Sequence, residues 1–296
     1  MKKGFTMIEI IFVIIVLGIV SSIGAETISR ISQIFIVQRA KHNSTEKAEL
    51  ALEQLANRLL YRIDLSLRGK KLNGVSLPLN QINISTPNRN SYVGLEWISA
   101  DNDGFSSLSS PGWSGFIDLS SASTTYDKVY STGSDFTLEQ TIMKNKTGAA
   151  GNAAIIFMDT PIYRSNSVNF YYNTSCLYSA NGCVFPVKLN GSVMTFNGGN
   201  RASGEMVYSE FYELATSAYT VMAEPNGDTF DLYLYSNYQP WLGESYTDGK
   251  KTLLASNVSV FRYKEENKTI RIKICVNDNI HGTKITSCRE KAVIRW

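Results

Sequence analysis

Residues 5–25 read FTMIEIIFVIIVLGIVSSIGA, and the interpretation of this stretch decides the fold. As an α-helix rising about 1.5 Å per residue, it covers about 30 Å, the hydrocarbon thickness of a bilayer. One span is therefore expected. Lys2 and Lys3 precede it, and basic flanks are retained in the cytoplasm, so the N-terminus is expected inside and the rest of the chain outside. The single ionisable residue of the stretch is Glu9, a carboxylate that costs a few kcal/mol to hold in lipid and so calls for a partner.

The chain beyond the span is of a different character, rich in Ser, Thr, Asn, Gly and Tyr, so the mean hydropathy of -0.12 averages two unlike parts. The whole chain has 296 residues with 43% hydrophobic and 11% aromatic content, enough to bury the core of one large or two modest domains and too apolar for disorder. Its 29 basic and 26 acidic residues nearly balance, which gives no general electrostatic signal for nucleic acid. Four cysteines, Cys176, Cys183, Cys275 and Cys288, all lie far from the apolar segment. Their even number fits disulfides in an oxidising compartment, with reduced buried thiols as the alternative. Pairing of sequence neighbours gives Cys176 with Cys183 and Cys275 with Cys288, but four cysteines allow three connectivities and the sequence does not choose among them.

No proline precedes Pro78, and residues 26–68 are dominated by helix formers. Ala48, Leu52, Leu55, Leu59 and Ile63 follow an i, i+4, i+7, i+11, i+15 course, one apolar stripe suited to packing on a sheet. Asn43 followed by Glu46 has the form of a capping box that restarts the helix, with a kink at 41–44, and Gly69 is the expected stop. Beyond it, short β-favouring runs broken by Asn, Gly, Ser and Pro predict antiparallel strands at 153–158, 168–172, 184–187 and 192–196. Two hairpins are clearest, one around Pro225-Asn226-Gly227-Asp228 and one around Glu265-Glu266-Asn267. The expected fold class is α+β, with a long N-terminal helix, transmembrane and then amphipathic, packed on an antiparallel sheet. The expected boundaries are a leader at 1–4, a transmembrane helix at 5–25, an amphipathic helix at 26–68 and a β-rich head at 69–296.

The tetrad Lys2-Lys3-Gly4-Phe5 followed by Thr6-Met7-Ile8-Glu9 resembles the leader of type IV prepilins and type II secretion pseudopilins. An ordinary secretory signal is cut after its apolar stretch and lost. In this family a membrane peptidase cuts before it. The resemblance implies cleavage between Gly4 and Phe5, N-methylation of Phe5, and a role in assembly for Glu9, whose carboxylate meets the amine of a neighbouring subunit. Glycine at the cut lets a protease approach the backbone closely. Family members often carry a helix-breaking proline at the position of Glu26, and this chain departs from that pattern, so melting of the helix on assembly does not carry over. Residues 219–276, with YTVMAE, DTFDLYLYS, TLLASNVSVFRYK and TIRIKICV, resemble the C-terminal sheet of larger minor pilins and J-type or W-type pseudopilins. A major pilin is usually nearer half this length. The implied subunit is a minor one near a filament tip, held in the bacterial inner membrane with its head in the periplasm until it joins a filament. Its implied partners are other pilins or pseudopilins, the prepilin peptidase, the inner-membrane assembly platform and membrane lipid.

Enzymatic signals are poor. His42 and His281 stand far apart, and no nucleophile elbow, P-loop or dinucleotide fingerprint occurs, so no cofactor is expected and the chain is read as a non-enzyme. Asp101-Asn102-Asp103-Gly104 has the look of a calcium-loop fragment, but it lacks the spacing of an EF-hand and reads better as an Asp-Gly turn, leaving Asp101 and Asp103 a weak calcium candidate. Asn267-Lys268-Thr269, with Glu265 two residues before the Asn, resembles an extended glycosylation sequon and reads better as a hairpin turn. Lys250, Lys251, Arg262, Lys264, Lys268, Arg271, Lys273, Arg289, Lys291 and Arg295 make the C-terminal region basic. A nucleic-acid-binding tip subunit of an uptake system is the rival reading, weighed against a solvated strand face with Glu265, Glu266 and Glu290 interleaved.

Overall fold

The computed structural model describes residues 6–82, 89–107, 110–147, 153–158, 176–178, 183–197, 209–280 and 283–295. One helix, α1 (Met7–Leu59), runs uninterrupted for 53 residues, through the kink expected at 41–44. Its first half touches nothing else among the described residues. Burial begins at Ala40 and Ser44 and continues through Ala48, Ala51, Leu52, Leu55, Ala56 and Leu59. The long exposed apolar run and the buried stripe are therefore two parts of one rod.

The stripe packs on an antiparallel sheet. Its strands are β1 (Arg68–Lys71), β2 (Ser76–Pro78), β3 (Tyr92–Ala100), β4 (Lys128–Tyr130), β5 (Ala154–Phe157), β6 (Phe185–Asn190), β7 (Val193–Phe196), β8 (Tyr212–Asn226), β9 (Thr229–Tyr238), β10 (Lys250–Glu266), β11 (Thr269–Ile280) and β12 (Thr283–Ile294). The main path is β12-β11-β10-β9-β8-β5-β6-β7-β4, with β3 also pairing with β8 and carrying β1 at its other edge. Among the described residues the chain is thus α+β, as its patterning implied. The strand expected at 168–172 lies outside the described residues.

Both predicted hairpins are present, and their turns show why. Gly227 sits at φ 59 between Asn226 and its partner Thr229, a conformation glycine adopts without strain. Asn267 and Lys268 take φ 48 and 62 between Glu266 and Thr269, the pair of positive values that a two-residue hairpin turn requires. In β11, Ile270, Ile272 and Ile274 face the helix while Arg271 and Lys273 alternate to the other side.

The helix stops at Leu59, short of the expected end at 68. Tertiary pairing is the reason: the Ile63 N–H donates to Ile98 O at 2.8 Å, Ala100 N–H donates to Tyr61 O at 2.8 Å, and Arg62 bridges to Ser99. These bonds to β3 pull residues 61–63 into an extended course, so Ile63 leaves the helical stripe and packs with Ile98 and Trp241. Gly69 is not a helix stop either. It lies within β1, where a Cβ would come within 2.3 Å of Ile82 Cδ1. Two shorter helices were not anticipated, α2 (Asn102–Phe105) and α3 (Phe136–Thr147), the latter capped by Asp135, whose Oδ1 accepts from the N–H groups of Thr137 and Leu138.

Three apolar clusters result. The largest joins α1 to Leu95, Trp97, Val221, Leu232, Leu234, Val258, Phe261 and the β11 isoleucines. A second gathers Phe136 and Met143 of α3 with Phe157, Phe185, Val187, Met194 and Leu214. The third fills the far side of the central strands with Met222, Tyr235, Tyr238 and Trp241. An ion pair lies buried beside it. Lys70 Nζ sits 2.6 Å from Glu96 Oε1, which also accepts from Tyr238 Oη at 2.9 Å and Thr220 Oγ1 at 3.3 Å.

Removing one member of a buried pair leaves the other charge uncompensated, at a cost of about 3–5 kcal/mol, whereas an exposed pair contributes at most about 1 kcal/mol. Lys70→Ala is therefore expected to cost several times more unfolding free energy than Lys291→Ala, measured by urea titration of the full chain with tryptophan fluorescence. Equal losses would refute this account of the pair.

Candidate functional site

The first turn of α1 is closed by Thr6 and Glu9. The Thr6 N–H donates to Glu9 Oε2 at 3.0 Å, and the Thr6 hydroxyl donates to the same oxygen at 3.0 Å. A carboxylate here also lies at the positive end of the helix dipole. Gly4 and Phe5, the expected cleavage and methylation residues, lie outside the described residues. Around Glu9, Met7, Ile8, Ile10, Ile11 and Phe12 are exposed, as are most of the apolar residues as far as Val37. This part of α1 has a mean hydropathy of 2.6 over its most apolar window, none of it buried, and it is long and apolar enough to cross a membrane. The sequence brought Glu9 to notice, and the structure places it on a surface of α1 that no other described element covers.

Two disulfides close the cysteines, Cys176–Cys183 and Cys275–Cys288, which is the neighbour pairing. Cys275 and Cys288 stand directly opposite each other in the β11–β12 ladder. Each bridge closes a short loop, an effect on the unfolded chain of about 2–3 kcal/mol. His42 is exposed on α1 with Glu46 3.9 Å away, and His281 lies outside the described residues.

Asp101 and Asp103 do not form a turn. They flank the start of α2, and Lys146 from the last turn of α3 reaches both, at 2.5 Å from Asp101 Oδ1 and 2.9 Å from Asp103 Oδ2. An ammonium therefore occupies the position the calcium reading would give to a cation, and among the described residues no three ligating side chains converge on a common metal position. A third carboxyl, Glu139, is fully buried beside Asp101, with Gly104 and Gly112 packed so closely on it that a Cβ at either would overlap its oxygens. Both Glu139 oxygens and Asp101 Oδ2 have no hydrogen-bond partner if both groups are charged. Burial, and then the neighbouring Asp101, push Glu139 up to about 9, so it holds its proton at neutral pH and supplies the missing donor. The carboxylates also hold Lys146 charged against its own burial. Nothing local in the sequence signals this cluster, because α2 and α3 meet only in the folded head. Glu96, a lone carboxylate in the apolar run YVGLEWISA, was a buried charge that a strand reading could have found.

Between the C-terminal end of α1, α2 and the start of β8 lies a cavity of about 670 Å³ walled by Phe105, Trp113, Phe211 and Tyr212, with Glu213 and Arg295 paired at its edge. Burial raises Glu213 and Arg295 opposes that rise. Among the described residues no histidine or cysteine lines the cavity. The basic C-terminal residues divide into two groups. Arg289, Lys291 and Arg295 turn to acids of α1 and its extension, Glu49, Glu53 and Asp64, and Lys268 lies near Asp64. Lys251 pairs with Glu224 at 2.7 Å. Arg262, Lys264, Arg271 and Lys273 alternate to the opposite side of β10 and β11.

No protein-family model matches the chain, and no curated protein or solved structure matches it.

The raised Glu139 makes a pH prediction. Between its ordinary value of 4.5 and about 9 the folded state holds this proton and the unfolded state does not. Its contribution to stability is therefore complete at acid pH and declines as pH rises through that window, by at most about 1.4 kcal/mol per pH unit. Glu139→Gln is expected to flatten the decline while changing stability at pH 5 little, as read by urea unfolding at several pH values. A variant profile parallel to the wild type would contradict the assignment.

Proposed function

We propose that this chain is a minor subunit of a type IV pilus-like or type II secretion filament, made as a precursor and cut between Gly4 and Phe5. The observation that carries the reading is the start of α1, residues 7–25: an apolar surface uncovered by the rest of the described chain, bearing one carboxylate at Glu9 shortly after a short basic leader ending in glycine. Such a surface needs lipid before assembly and neighbouring helices afterwards. In the membrane Glu9 is served by Thr6. In the filament it meets the free amine of a neighbouring subunit, a charge pair that fixes the axial position of the incoming helix. The head, bulky for a lattice set by helix packing, suits the tip or an initiating complex. Lys2 and Lys3 keep the leader in the cytoplasm, where the prepilin peptidase acts, and the two disulfides accord with a periplasmic head. The role is structural and uses no cofactor.

The test is intact mass and N-terminal sequencing of the full chain co-expressed with a prepilin peptidase. The expected product starts at methylated Phe5 for the wild type and at Met1 for Gly4→Leu. Glu9→Ala is expected to be processed normally yet to fail to enter filaments in a host that makes the other subunits. An uncut wild type, or one that loses the whole apolar segment, would overturn the reading.

A further inference from the structure

The cavity beside the end of α1 has a fixed floor and an uncovered rim. Its floor is a row of three rings: Phe105 lies 4.9 Å from Trp113, and Trp113 lies 5.8 Å from Tyr212, between centroids. The two inner rings are buried and tied at their polar ends, Trp113 Nε1 donating to Asp101 O at 2.7 Å and the Tyr212 hydroxyl bonded to Ser131 Oγ at 2.7 Å. A floor held in this way does not have to be ordered by a ligand, which removes part of the cost of binding. At the mouth the rings stay in water. Tyr61, Phe105 and Phe211 are 43%, 50% and 49% exposed, and Phe116 rests on Phe211 with centroids 6.1 Å apart. Large apolar side chains grouped at the rim of a concave site of about 670 Å³ are the pattern of a binding site, not of a solvated loop.

We propose that this cavity takes an aromatic side chain of an extended polypeptide, with the N–H and C=O of that residue held by Asn102. The charged groups at the site are already occupied, so an ionised ligand finds no open partner. Glu213 is paired with Arg295, Arg295 also lies 3.9 Å from Asp64, and Arg62 donates to Leu59 O and Lys268 O. A neutral ring enters without uncovering a charge. Asn102 is different. It is half-buried at the start of α2 and lines the cavity, its carbonyl accepts from Ser106, and its side-chain amide bonds to no described residue. A carboxamide offers a donor and an acceptor side by side. One residue of an extended chain presents its N–H and C=O on a single edge, which matches that pair, whereas a hydrocarbon, a phosphate or a lone ammonium does not. The exposed rings at the mouth then cover the flanking chain and keep water from those bonds. This inference does not rest on the filament-subunit reading.

The test is fluorine NMR of a capped tripeptide, para-fluorophenylalanine between two glycines, titrated with the full chain in zwitterionic nanodiscs, with empty nanodiscs as the blank. The peptide should bind, and para-fluorobenzyl alcohol, the same ring without a peptide group, should bind about tenfold more weakly for want of two hydrogen bonds. Asn102→Ala should weaken the peptide about tenfold and leave the alcohol unchanged, a split that damage to the fold would not produce. Phe211→Ser should weaken both ligands about fivefold by removing part of the apolar rim. The control Leu253→Ser, 51% exposed on β10 opposite Tyr233 and remote from the cavity, should change neither. No binding of the peptide at about 1 mM, equal affinity for the peptide and the alcohol, or parallel losses of both ligands in Asn102→Ala would each overturn the proposal. Processing at Gly4 is read separately, so failure here leaves the filament reading standing on its own test.

Discussion

The largest core of the head is arranged around the burial of one stripe of α1. Leu52, Leu55 and Leu59, with Ala48, Ala51 and Ala56 between them, press on Leu95, Trp97, Leu232, Leu234 and the isoleucines of β11. Each buried leucine contributes about 1.5–3 kcal/mol by removal from water. The ion pairs along the same junction, Glu49 with Arg289 and Glu53 with Lys291, are largely exposed and contribute about 0–1 kcal/mol each. Apolar packing therefore decides that helix and sheet associate. The alanines matter for shape, since they let the helix backbone approach the sheet closely.

Because the stripe begins only at Ala40, the preceding turns of the same helix have no protein partner among the described residues. A continuous helix transmits any constraint on its N-terminal half directly to the head. As α1 leaves the sheet, the Ser44 hydroxyl donates to Ser287 Oγ at 2.7 Å and the Ser287 hydroxyl donates to Lys41 O at 3.4 Å. In the proposed filament this means that the depth of Glu9 also sets the height of the head, with no hinge between them among the described residues.

The head tolerates buried charge where a full set of partners is available. Glu96 is served by Lys70, Tyr238 and Thr220, and the cost of desolvating the pair is offset by a geometry that few other packings reproduce. The α2–α3 junction solves the same problem differently. Three carboxyls meet one ammonium, and the excess negative charge is removed by protonating Glu139 instead of adding a second cation. On the outer face of β10 and β11 the charges stay in water, with Lys264 paired to Glu266 and Lys273 opposite Glu290. Arg262 stands opposite Lys273 and Lys264 opposite Arg271, and screening by water keeps that repulsion weak enough to persist.

The amino-acid sequence by itself determined whatever depends on local periodicity and on residues with special backbone freedom. The apolar run, the helical stripe as far as Leu59, the two hairpins at Gly227 and at Asn267-Lys268, and the alternation in β11 were all legible, because each arises from the chemistry of a few adjacent residues. Only the tertiary structure decided where the helix ends, since the bonds from Ile63 and Ala100 that stop it cross between strands far apart in sequence. The same holds for the role of Gly69, which a side-chain contact with Ile82 sets, and for the choice among three disulfide connectivities. It holds most clearly for charge. Basic residues that looked equivalent in the chain were sorted by strand register into one set that faces the acids of α1 and another on the outer face of the sheet, because a strand sends successive side chains to opposite sides and its neighbours alone determine what each side meets.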